Sequence, residues 1–202
     1  MAGGSRQAAR RAETREKMVD AATRSFRARG FAGVGVDGIA EAAGVTSGAL
    51  YAHFGSKRGA FEAALERGFD EGYASMIEAQ AAGGEDWLTG FVASYLGAAH
   101  RADMAGGCTV STLACEVIRE GGEAPAIFER RMAGFIARFA EGLAGGDGEA
   151  RRARARATIA TLAGGLSIAR AVESREEADR IVAAVTTAAL SAAGPTAAAP
   201  DP

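Results

Sequence analysis

The chain has 202 residues, 48% of them hydrophobic, with a formal net charge of −2, enough for a real core in one moderate domain or two small ones. Two cysteines are too few for a disulfide framework, and 4 prolines with no alternating β-branched runs argue against strands, so an all-α fold is expected. No apolar signal segment opens the chain and no apolar run approaches 18 residues, which excludes secretion and membrane spanning as expectations and places the protein in the cytoplasm with no membrane partner.

Charge is unevenly spread. Residues 1–58 hold 10 Lys/Arg against 5 Asp/Glu, a net of +5, whereas residues 59–202 carry a net of −7. A basic first third on an acidic body is the asymmetry expected when one end meets phosphates.

Residues 1–12 carry Arg6, Arg10 and Arg11 and no acid; a disordered basic arm is expected. A first helix is predicted over Glu13–Arg29, with Val19, Ala22 and Phe26 on its buried face and Gly30 at the position where a helix ends in a left-handed turn. The next stretch, Val36 to Phe54, reads as two short helices joined by a tight turn. Ile39, Ala40 and Ala43 share one face of the first, Gly44 closes it, and Thr46 caps the second. That second helix buries Leu50 and Phe54 and shows Ser47, Gly48, Ala49, Tyr51 and His53 on its other side. Small and hydroxyl-bearing residues let such a helix lie close to another surface. In a helix-turn-helix the N-terminal residues of the second helix meet base edges in the major groove.

Gly30-Phe31, Val36 to Ala40 and the run AAGVTSGALYAHFGSK from Ala42 to Lys57 resemble the DNA-binding domain of tetracycline-repressor (TetR-type) regulators, over roughly residues 14 to 61. The resemblance implies a three-helix helix-turn-helix head over 13–56 and a ligand-binding and dimerisation bundle over 57–193, about nine helices in all. It further implies a homodimer on a palindromic double-stranded DNA operator, released by a small, largely apolar effector. Thr46, Ser47, Gly48, Ala49, Tyr51, His53 and Lys57 are the implied DNA-contacting set. Val34 and Gly35 depart from the family pattern, which has hydroxyl residues there, so one phosphate contact is missing.

Beyond the head, Ser56 caps a long fourth helix to about Ala82, striped by Phe61, Leu65, Phe69, Tyr73 and Ile77 at steps of four. After Gly83-Gly84 a fifth helix is predicted from Asp86 to Arg101, apolar over a wide arc. Residues 103–107 read as a loop, and Gly107-Cys108 opens a sixth helix. Pro125 starts a seventh that Gly145-Gly146 stops. An eighth, Glu149 to Glu173, opens with four arginines read as a solvated face. Ser174 and Glu177 form a capping box for a ninth. A disordered Pro/Ala-rich tail is expected over 194–202.

Candidate effector contacts are Trp87, Phe91, Tyr95, Cys108, Phe128 and Phe135. Ile159, Leu162, Leu166, Ile181 and Val185 are the candidate dimer interface, since the resemblance implies that the last two helices pair with their copies. No catalytic set, metal-spaced cluster or cofactor loop is found, so no enzyme activity, metal or cofactor is expected. Two alternatives stay open. Cys108, at a predicted helix start, could serve a thiol-based electrophile or redox sensor, against the plainer reading of Cys108 and Cys115 as small buried hydrophobes. The chain could also be a helical small-molecule binder with no DNA role.

Overall fold

The computed structural model describes the backbone of residues 2–197 and the side chains of residues 6–197. In chain order the α-helices are α1 (Ala2–Arg29), α2 (Val36–Ala42), α3 (Ser47–Phe54), α4 (Lys57–Gly83), α5 (Trp87–Tyr95), α6 (Ala98–Ala102), α7 (Thr109–Glu120), α8 (Ala124–Glu141), α9 (Gly148–Ala171) and α10 (Arg175–Ala193). The fold is all-α: a helix-turn-helix head on a helical bundle. No helix among the described residues is long and apolar enough to cross a membrane.

Two apolar cores share the molecule. The head core gathers Met18, Ala22 and Phe26 of α1 with Ile39, Leu50, Phe61 and Leu65. Phe26, Phe31 and Phe61 meet there with ring centroids 5.2–5.8 Å apart. Leu113 and Val117 of α7 and Ala124 of α8 belong to this core too, so the expected division at residue 56 runs through continuous packing. The body core holds Met76, Trp87, Val92, Phe139, Leu162 and Leu166, among others. The long helix α4 feeds both, through Phe61 and Leu65 at one end and Met76 at the other.

Several expectations need correction. The arm expected to be disordered is helical from Ala2: Arg6 to Ala12 are strong helix formers with no breaker, and α1 continues through them although they are exposed. The predicted fifth helix is two, α5 and α6, because Gly97 is extended (φ −63°, ψ 154°). The carbonyls freed at that break are taken by Arg101, which donates to Leu96 O at 3.2 Å, and by the His100 ring, whose Nδ1 lies 2.5 Å from Tyr95 O. A carbonyl only accepts, so that nitrogen carries the proton. The described fold therefore has ten α-helices.

Helix α8 ends at Glu141, before the glycine pair. Gly142 must pass close to the Trp87 ring, and the Trp87 indole N–H donates to Gly142 O at 2.9 Å. The tail is ordered through Ala197: Thr196 bridges to Leu143, and Ala197 N donates to Gly142 O at 2.9 Å. Its last five positions, 198–202, lie outside the described residues. Arg154 is no solvated cation either; its guanidinium donates to the carbonyls of Ala144, Gly145 and Ala193, locking the α8–α9 turn to the end of α10.

Gln80 is fully buried, its Nε2 makes one long bond of 3.5 Å to Arg138 O, and its Oε1 has no partner among the described residues. An orphaned buried acceptor costs about 1–3 kcal/mol. Gln80→Met, close to isosteric, is expected to raise the unfolding free energy by about 1 kcal/mol, read by urea denaturation; a loss of stability would mean the amide is better satisfied than this.

Candidate nucleic-acid interface and body cavity

The turn between α2 and α3 is fixed by backbone chemistry. Gly44 has φ +67°, Val45 N donates to Ala40 O at 2.9 Å and Gly44 N to Glu41 O at 3.0 Å, the paired bonds of a Schellman C-cap. Thr46 then caps α3, its hydroxyl accepting from Ala49 N at 3.2 Å. The two caps lie two residues apart and so set the angle between the helices. Leu50 anchors α3 in the head core. Thr46, Gly48 and Tyr51 stand exposed, and Ala49 and His53 half-buried. Tyr51 is one of the few large apolar side chains left in water, 52% exposed.

Two members of the candidate set are already engaged. The Ser47 hydroxyl donates to the Asp37 carboxylate, tying the start of α3 to α2. The Lys57 ammonium lies 4.3 Å from the centre of the Phe31 ring, a cation–π contact worth about 0.5–1 kcal/mol when exposed. Gly35 caps α2 without any side-chain bond, and Val34 is buried in the head core, so the hydroxyls missing from this stretch are not replaced locally.

The body holds a partly open cavity of about 210 Å³. Phe69, Phe91, Phe135 and Phe139 wall it with Val110, Ile159 and Leu162, and its polar lining includes Arg27, Glu71, Tyr95, His100, Cys108 and Thr109. Burial pushes the Tyr95 phenol far above its ordinary value, and adjacent Cys108 adds to this, while Arg170 and a bond with Ser111 pull the other way. Tyr95 is therefore a neutral hydroxyl at any physiological pH. Arg170, itself lowered chiefly by burial, donates to His100 O at 2.7 Å, Arg101 O at 3.2 Å and Ser111 Oγ at 3.2 Å. It pins α6 and α7 to α9. Gly107 is required beside it, since a Cβ there would sit 2.6 Å from the guanidinium.

The family model for bacterial regulatory proteins of the tetR family matches residues 18–64, the span of α1's second half, the two-helix motif and the start of α4. Residues 18–64 are thus of the TetR type. The regulator TtgR of Pseudomonas putida is 46% identical over 54 residues, 27% of this chain and 26% of that protein. The matched stretch thus spans about a quarter of that regulator's length. Solved structures extend the likeness to the body as fold. A TetR-family regulator of Cytophaga hutchinsonii aligns with a TM-score of 0.71 at 17% identity, covering 90% of this chain and 96% of that one. One from Streptomyces coelicolor aligns at 0.66 and 21% identity, covering 96% and 97%.

Within the body the structure sorts the candidate residues. Phe91, Tyr95, Cys108 and Phe135 line the cavity. Trp87 does not; it is buried behind Phe91 and Phe139, capping α8. Phe128 does not either, being packed on Phe69 at the head side. Ile159, Leu162 and Leu166, candidates for a dimer interface, point into the protomer's own core. Val185 packs on Gly165 within the chain, partly buried, as is Ile181. Cys115 is exposed, so it is not the buried hydrophobe expected, and Cys108 is a wall residue of the cavity; the thiol-sensor alternative gains nothing from either placement. Arg27 and Glu71 were missed altogether, because a charged residue on an amphipathic helix reads as solvated until its long-range partner is known.

Proposed function

We propose that the protein is a homodimeric, one-component transcriptional repressor that holds a palindromic operator through paired α3 helices and leaves it when a small ligand fills the body cavity. The observation that carries the reading is the exposed, doubly capped α3 inside the stretch that matches the family's DNA-binding domain. Thr46, Gly48, Ala49 and Tyr51 would meet bases or backbone. Ser47, His53 and Lys57 would lie beside phosphates, Ser47 and Lys57 only on releasing Asp37 and Phe31. The ligand must bind the DNA-incompetent arrangement better than the competent one, or it shifts nothing.

The dimer is assigned to the outer faces of α9 and α10. Ala157, Ala160, Gly164 and Ile168 on α9, with Ala184 and Ala188 on α10, are solvent-facing in the protomer. Ile168 is 57% exposed. Small residues let two such helix pairs approach closely, and a two-fold contact is self-complementary.

Two measurements test this reading. Operator affinity should fall linearly on a log–log plot against salt, and Tyr51→Ala should weaken it about tenfold while the thermal midpoint stays put; full binding by the variant would remove α3 from the interface. Gly164→Glu places a charge where a Cβ meets nothing within 4 Å of the protomer, so the subunit should fold and native mass spectrometry should show a monomer. A persisting dimer would move the interface elsewhere.

A further inference from the structure

Arg27 belongs to α1, the first helix of the head, yet its guanidinium ends in the wall of the body cavity. The residue is 4% exposed. Nε and Nη2 donate to Thr109 Oγ1 at 3.0 and 2.8 Å, and Nη1 pairs with Glu71 at 2.6 Å. The arrangement depends on Gly68, where a Cβ would lie 1.8 Å from Thr109 Oγ1 and 2.8 Å from the guanidinium. A cation buried this deeply needs a counter-charge, and stripping it away is strongly unfavourable. Its present counter-charge is loosely held, because the Glu71 side chain is 45% exposed. Glu71 can therefore turn to water, on condition that another anion takes its place.

The cavity that Arg27 and Glu71 both line is walled chiefly by Phe69, Phe91, Tyr95, Phe135 and Phe139 with aliphatic side chains. At about 210 Å³ it has room for one substituted ring, given that an apolar cavity of about 150 Å³ accepts benzene. We propose that the cavity takes a single-ring aromatic carboxylate, whose carboxylate replaces Glu71 on Arg27. This deepens the effector-release reading above, and only its consequence for DNA rests on that reading. Guanidinium and carboxylate form charge-assisted, paired hydrogen bonds, so the exchange keeps the buried charge balanced. A neutral ring of the same size fills the apolar walls and leaves Arg27 on Glu71. Because Arg27 is carried by α1, and α1 packs on α2 and α4, a change of partner at the guanidinium acts directly on the head.

The protein supplies its own reporter. Trp87, the single tryptophan, packs on Phe91 and Phe139 with ring centroids 6.0 and 5.1 Å away, and both of those line the cavity. Titrating the full chain with benzoate and with benzyl alcohol at neutral pH, and following Trp87 fluorescence, should show benzoate binding about tenfold tighter or more, the scale of a charge-assisted contact. Glu71→Gln removes the competing carboxylate and leaves the aromatic walls intact; it should tighten benzoate several-fold and leave benzyl alcohol unchanged. Equal affinities for the two probes, no binding of either, or a Glu71→Gln effect that is the same for both would overturn the proposal. Fluorescence is read without DNA, so the two readings fail separately: this pattern in a protein that binds no DNA sinks the repressor alone, and its absence in one with salt-dependent operator binding sinks the ligand class alone.

Discussion

Arg27 leaves the last turns of α1 and ends between Thr109 and Glu71, fastening the head's first helix to α7 and α4 at a point water hardly reaches. A second tie lies one turn further on, where Glu116 of α7 accepts the Phe31 N–H at 3.1 Å just past the end of α1. Both ties run to α7. That helix begins at the cavity, with Cys108 and Thr109 in its wall, and ends in the head core with Leu113 and Val117. It is a rod of 12 residues, about 18 Å long, with one end in each core.

The head is therefore not a separate module on a flexible stalk. Its core is completed by side chains of α4, α7 and α8, and close-packed interiors respond to a shift by repacking between discrete arrangements rather than by bending continuously. Helix α3 has little core of its own beyond Leu50 and partly buried Phe54. It goes where α1, α2 and the first turns of α4 carry it. In the proposed repressor this geometry lets a ligand of modest size, held well away from α3, change how two copies of that helix sit relative to each other.

Local chemistry was legible in the sequence. Gly44 and Thr46 gave the turn, Ser56 and Ser174 gave caps that are seen accepting from Gly59 N and Glu177 N, and the four-residue aromatic steps gave long buried faces. What could not be read is the partner of a face. Ile159, Leu162 and Leu166 form an apolar stripe that suits a partner subunit as well as the protomer's own core, and periodicity does not choose between them. Trp87 and Phe128 failed as cavity residues for the same reason: a helix apolar over a wide arc shows that it is buried, not against what. Arg27 and Arg154 escaped because their partners lie 82 residues and up to 39 residues away, and the break at Gly97 depends on carbonyls satisfied by side chains rather than on any strong stop signal.

The central claim is that two copies of α3 read one operator together, and selection of bound sites from random duplex DNA tests it most directly. The account predicts enriched inverted repeats whose half-site centres lie one helical turn, about 34–36 Å, apart or slightly more. Enrichment of isolated half-sites, or no enrichment over unselected DNA at moderate salt, would contradict it.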